Sequence, residues 1–150
     1  YKRQAEASDE EVRRAAEIAQ ADEFISGFTE GYKDMITEKG SSLSGGQKQR
    51  LSIARAIVKK PEILIFDDSM SALDLSTDAK LQKALHEKLK GTTVIMIAQR
   101  VASVMRADKI AVIDNGRIAA FDTHDNLMKN CSVYRDIYNS QMREGAEQVG

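Results

Sequence analysis

The chain has 150 residues, 30% of them charged, and its 22 Lys and Arg nearly balance 23 Asp and Glu for a net charge of −1. That balance argues against a nucleic-acid face or a polybasic membrane anchor, and no apolar run approaches the roughly 20 residues that cross a bilayer as a helix. A single cysteine, Cys131, excludes an internal disulfide, and neither His86 nor His124 has companions at metal-ligand spacing.

In chain order, Ser8-Asp9-Glu10-Glu11 fits a capping box with Ser8 as cap and Glu11 at the third helical position. Val12, Ala15, Ala16 and Ala19 then form an apolar helical stripe. A second short helix is expected around Asp22 to Ile25, ending near Gly27. Gly31-Tyr32 leads through Thr37-Glu38-Lys39-Gly40 to Leu43-Ser44-Gly45-Gly46-Gln47, which runs through Lys48-Gln49-Arg50 into an amphipathic helix. Adjacent glycines let backbone amides approach a ligand, Ser44 adds a hydroxyl donor, and the helix start directs free N–H groups and partial positive charge at an anion. A turn that only caps a core helix is the plainer alternative.

Lys60-Pro61 breaks that helix, and Ile63-Leu64-Ile65-Phe66 is wholly apolar, the pattern of a strand buried on both faces of a parallel sheet. Asp67 and Asp68 follow at the expected strand end, where ligands bind in open α/β sheets, so both are candidates for handling metal and water. Turn or cap residues would use the same letters. Ser71-Ala72-Leu73-Asp74 approaches a helix that Ser76 or Thr77 could cap, with Leu81, Leu85 and Leu89 as its buried stripe. After a stop at Gly91, Thr92 to Ala98 reads as a second apolar, β-branched strand, ending at Gln99-Arg100. Lys109–Ile113 and Arg117–Phe121 flank Asp114-Asn115-Gly116, a strong hairpin signal because Asn-Gly tolerates positive φ. Thr123-His124 opens another helix, Val133 to Met142 a last one, and residues beyond Arg143 are expected to fray.

The Leu43–Gln47 motif resembles the signature sequence of the ATP-binding cassette family, the ATPases of ABC transporters, and the downstream order extends the resemblance over almost the whole chain. It implies an α/β fold of the P-loop NTPase (RecA-like) class with an α-helical subdomain: residues 1–59 as that subdomain including the signature helix, 60–150 as the carboxyl-terminal part of the ATPase core. It further implies that Leu43, Ser44, Gly45, Gly46 and Gln47 contact ATP held by a second cassette. Asp67 would be the Walker B aspartate that helps hold Mg2+. Ser71–Asp74 matches the D-loop, which crosses the cassette interface and adds Asp74 to the residues expected to bind the nucleotide, and Thr37–Gly40 resembles the exporter X-loop that meets the membrane domain.

Two positions depart from the family pattern. Active members carry glutamate directly after the Walker B aspartate, where this chain has Asp68, and histidine at the switch position, where it has Gln99. Withdrawing a catalytic carboxylate by about 1 Å can cost on the order of a hundredfold in rate. Glutamine can donate a hydrogen bond to phosphate but never carries the proton of imidazolium. An intact signature with weakened hydrolytic groups implies the degenerate-site half of a heterodimeric, multidrug-type exporter, paired with a non-identical cassette and a transmembrane domain at the cytoplasmic face of the membrane, with no nucleic-acid partner. A soluble cassette acting on nucleic acid or ribosomes shares the same motifs, and an ATP-gated regulatory clamp differs only in turnover. No Gly-x-x-x-x-Gly-Lys-Ser/Thr occurs, and neither the adenine-stacking aromatic nor the Q-loop glutamine is identifiable. The expectation is therefore the carboxyl-terminal portion of a longer polypeptide, inactive as an ATPase by itself.

Overall fold

The computed structural model describes residues 7–36 and 43–147. These fall into two compact units, Tyr1–Ile97 and Ala98–Gly150, and together they are mixed α/β. The Thr37–Gly40 stretch lies outside the described residues. The boundary expected between residues 59 and 60 falls within the first unit.

The first unit opens with α1 (Asp9–Ile18), capped as its sequence predicts: the Ser8 hydroxyl accepts from the Glu11 amide and the Glu11 carboxylate accepts from the Ser8 amide. The helix ends in a Schellman turn, with Gln20 at φ 57° and the Ala21 N–H donating to the Ala16 carbonyl at 2.7 Å. Helix α2 (Asp22–Ser26) follows, with Gly27 as its C-cap. Tyr32 reaches back to donate to Asp22 Oδ1 at 2.6 Å, and burial together with that carboxylate raises the phenol above its ordinary pKa. Helix α3 (Gly45–Val58) is tied to this pair by Arg50, whose guanidinium lies 4.8 Å from the Phe24 ring centre and donates to the Gln20 carbonyl at 2.9 Å.

Strand β1 (Ile63–Asp67), helix α4 (Leu75–Lys88) and strand β2 (Thr93–Ile97) form a β-α-β unit, with β1 and β2 paired in parallel from Ile63↔Thr93 to Asp67↔Ile97. The helices cover one face of this pair. Leu64 and Phe66 point into the core with Ile53, Ile57, Leu81 and Leu85. The expectation of burial on both faces is corrected here: Ile63 and Ile65 are each 59% exposed, and Ile95 and Ile97 beside them are exposed as well. An unbroken apolar run encodes two faces that can be buried, but burial needs a packed layer on each, and the described residues supply one.

The cap of α4 also differs from expectation. Neither Ser76 nor Thr77 serves: Asp74 is the cap, accepting from the Thr77 N–H at 2.9 Å and from its hydroxyl at 2.7 Å. The two carboxylate oxygens each take one Thr77 donor, and the helix starts two residues upstream of a Ser76 cap and three upstream of a Thr77 cap. Leu81 and Leu85 are buried as their spacing predicts, and Leu89 packs partly buried at the C-cap.

In the second unit, β3 (Ile110–Asp114) and β4 (Arg117–Asp122) form the predicted hairpin, with Asn115 and Gly116 both at positive φ and a register shift between Val112 and Ile113. Lys109 Nζ meets Asp122 at 3.0 Å, and this ammonium, first among its partners, holds the Asp122 carboxyl below its ordinary range. Thr123 caps α5 (His124–Asn130), and α6 (Ser132–Glu147) completes a core of Val101, Ile110, Val112, Leu127, Cys131 and Tyr134. Cys131 is a buried, packed thiol, His86 is exposed, and His124 Nδ1 pairs with the Tyr134 hydroxyl at 2.8 Å. Rather than fraying beyond Arg143, α6 runs on to Glu147, since one glycine inside an otherwise helical run costs only about 1 kcal/mol relative to alanine. Among the described residues, no helix is long and apolar enough to cross a membrane, and no group of three His, Cys, Asp or Glu is arranged to hold a metal ion.

Candidate functional site

Leu43 is buried and anchors the entry to α3, whereas Ser44 and Gly45 are exposed and Gly46 and Gln47 are half-buried. Ser44 caps the helix, its hydroxyl oxygen accepting from the Gln47 N–H at 3.2 Å while Gln47 Oε1 accepts from the Ser44 N–H at 2.9 Å. The bond uses the hydroxyl oxygen as acceptor and leaves its hydrogen to donate outward. Helix starts present N–H groups that have no intrahelical acceptor, and here the capping box takes that of Gln47 and leaves those of Gly45 and Gly46. No acidic side chain stands in the first turn to neutralise the positive end. The cap reading and the anion reading are thus compatible in one geometry.

Gly46 has a second reason to be glycine. A Cβ built there would lie 3.1 Å from the Ala72 carbonyl oxygen and 3.6 Å from Leu73 Cδ2. The two backbones touch at this point, which is where the stretch Ser71–Asp74 crosses the start of α3.

Asp67 ends β1 with its side chain exposed. Asp68 follows at φ 48°, a left-handed conformation that aspartate tolerates better than most residues at a cost of roughly 1–3 kcal/mol. Its N–H donates to the Ile97 carbonyl at 3.0 Å, and its own carbonyl accepts from the Ser71 hydroxyl at 3.0 Å and from the Ser71 N–H at 3.3 Å. Asp74 has both carboxylate oxygens engaged as the α4 cap, and the Thr77 N–H and hydroxyl hold it below the ordinary carboxylate range. Asp67 and Asp68 offer oxygen ligands at a strand end, the donor chemistry of a hard divalent cation. Gln99 belongs to the second unit, exposed, with its carbonyl accepting from Gln141 Nε2 at 2.7 Å. The first unit therefore links the Ser44–Gln47 stretch, Asp68 and Asp74 through the Ser71–Ala72 turn.

Sequence reasoning missed Gln49. Its side chain accepts from the Ala72 N–H at 3.2 Å and donates to Ser71 Oγ at 3.5 Å. These partners lie 23 and 22 residues downstream, beyond the reach of any local pattern.

The profile of the ABC transporter family matches residues 2–71. A protein of Mycoplasma genitalium named as an ABC transporter ATP-binding protein is 50% identical over 139 residues, 93% of this chain and 22% of that protein. The mitochondrial potassium channel ATP-binding subunit of Xenopus tropicalis is 45% identical over 142 residues, 95% of this chain and 21% of that protein. A solved structure of a bacterial Atm1-family ABC exporter with ATP bound matches with a TM-score of 0.85 at 37% identity, over 92% of this chain and 24% of that one. The chain is homologous to ABC transporter nucleotide-binding domains and has their fold. It spans about a fifth of the length of these curated relatives.

Proposed function

We propose that this chain is the signature, Walker B and D-loop portion of an ABC exporter cassette that binds and hydrolyses ATP in a head-to-tail pair and couples that cycle to transport through a membrane domain at the cytoplasmic face. The observation that carries the reading is the open start of α3: Ser44 and Gly45 are exposed and uncompensated by acidic neighbours, in a chain similar to an exporter with ATP bound. In this reading Ser44, Gly45, Gly46 and Gln47 clasp the γ-phosphate of ATP held by the partner cassette, with Leu43 as their buried anchor and Asp74 at the interface. Asp67 would help hold Mg2+, which neutralises phosphate charge when bound. Residues 1–59 act as the helical subdomain that meets the membrane domain and 60–150 as part of the ATPase core, and turnover requires a phosphate loop that these 150 residues do not contain.

Asp68 and Gln99 occupy the positions of the water-polarising carboxylate and the γ-phosphate switch. A shorter acid and a neutral amide support the transition state less well than glutamate and histidine, so the cassette completes its partner's site fully and its own weakly. That asymmetry calls for a non-identical partner, as in multidrug-type heterodimers. The test is ATP turnover by a pair of identical cassettes carrying this chain, compared with the Asp68→Glu, Gln99→His double variant. The reading expects the double variant to be faster by on the order of a hundredfold. Equal rates contradict the weakened site.

A further inference from the structure

A side chain of the helix that carries the signature reaches across to the D-loop of this chain. Gln49 projects from the second turn of α3, half-buried, with its amide oxygen 3.2 Å from the Ala72 nitrogen and its amide nitrogen 3.5 Å from Ser71 Oγ. Ser71 passes the connection on, since its hydroxyl donates to the Asp68 carbonyl at 3.0 Å. Directly below, the absence of a Cβ on Gly46 lets the Ala72 carbonyl approach the first turn of the same helix, where a methyl would sit 3.1 Å away. One residue of the loop is thereby held from both sides: its N–H by Gln49 and its carbonyl against Gly46.

Energetics separates a latch from a structural bond. Ala72 is exposed, so losing Gln49 leaves its N–H to water and carries no penalty for a buried, unsatisfied donor. What is lost is position. A glutamine bridges here because it offers an acceptor and a donor on one planar head, matching a backbone N–H and a hydroxyl on adjacent residues.

We propose that Gln49 is a positioning residue that latches the D-loop to the signature helix, so that Ser44–Gln47 and Ser71–Asp74 move as one body. The consequence for turnover rests on the function proposed above; the latch itself does not. In a cassette pair, a γ-phosphate engaged by Ser44 and the glycines would pull the D-loop with it, and the turn at Asp68 would follow through Ser71. Gly46 sets the contact distance and Gln49 keeps the contact closed.

Two measurements test this. Amide hydrogen exchange on the chain reads the latch without nucleotide: Gln49→Met, which keeps length and helix propensity, speeds exchange at Ala72 about tenfold, and Gln49→Glu, which keeps the acceptor, stays within about twofold of the native chain. Protection at Leu81 stays unchanged and reports the fold. Should Gln49→Met lose that protection, Gln49→Lys, with a solvated head on an aliphatic stem, replaces it in the same comparison. Native exchange at Ala72 in the folded variant overturns the latch. In an assembled pair with complete cassettes, Gln49→Met lowers kcat for ATP at the partner's site about tenfold with KM within about twofold, and Gln49→Glu recovers it. A raised KM at unchanged kcat, or full turnover with Ala72 released, overturns the coupling. A pair that hydrolyses no ATP even with Gln49 intact refutes the proposed function, and the exchange result then still decides the latch.

Discussion

The described residues contain two capping boxes of nearly identical backbone geometry and different surroundings. Ser8 sits at φ −69°, ψ 157° before α1, and Ser44 at φ −66°, ψ 162° before α3, each with both reciprocal side-chain bonds to the third helical residue. The difference lies in the first turn of each helix. Asp9, Glu10 and Glu11 fill that of α1, and Glu11 also pairs with Lys60, so the positive end of that helix is neutralised within the chain. Gly45 and Gly46 come directly after Ser44, no acid stands in the first turn of α3, and Lys48 adds positive charge. A cap fixes where a helix begins; charge and side-chain bulk in the first turn decide whether that beginning is closed or can receive an anion.

The strongest way to break this comparison is to give the second helix the first one's chemistry. Gly45→Glu has room, because among the described residues a Cβ there meets only Ala72 Cβ at 3.8 Å. It should leave the circular dichroism spectrum of the chain unchanged and the urea midpoint no lower, since an acid in the first turn stabilises a helix, while lowering ATP turnover of an assembled cassette pair on the order of a hundredfold. Turnover within twofold of the native pair would make the open helix start irrelevant to catalysis. Removing the caps is milder. Ser8→Ala and Ser44→Ala should each cost about 1 kcal/mol in urea unfolding, and only Ser44→Ala should also slow turnover. Equal effects on activity would erase the distinction between the two boxes.

Acid titration gives the smallest effect. Lys60, followed by the Ser8 backbone, lowers the Glu11 carboxyl from its ordinary value of 4.5 to about 2, so its contribution is present above the ordinary value and is lost as the pH falls through about 2. Because Gln47 does not titrate, the box on α3 has no counterpart. The prediction is that Lys60→Met, which leaves Glu11 less depressed, narrows the difference in urea midpoint between pH 5 and pH 2.5. An unchanged difference would place the acid sensitivity elsewhere.

Features set by neighbours in sequence were legible from the residues: the Ser8 box, the Ala15 and Ala16 stripe, the break at Lys60-Pro61, the Asn115-Gly116 turn and the helix that opens at Thr123-His124 all rest on contacts within a few positions. Features set by distant packing were not. The bare face of Ile63 and Ile65 depends on which layers are present, and composition alone states only that both faces are apolar. Asp74 replaced Ser76 and Thr77 as the α4 cap because several adjacent polar residues can each cap a helix, and the preceding turn selects among them. At the candidate site, the adjacent glycines imply room for a ligand, while the structure adds contact of Gly46 with Ala72, 26 residues away, and the Gln49 bridge beside it. The pairing of Asp68 with its neighbours through Ser71 was hidden for the same reason, since a hydroxyl can find a carbonyl in almost any turn.

The most direct test is a site-resolved single-turnover measurement in an assembled pair in which only this chain carries Gly45→Glu. The prediction is that ATP held by the partner cassette is no longer cleaved, while ATP held by the cassette containing this chain remains bound. Loss of nucleotide from this chain's own cassette, with cleavage at the partner's site intact, would contradict a signature that acts across the interface.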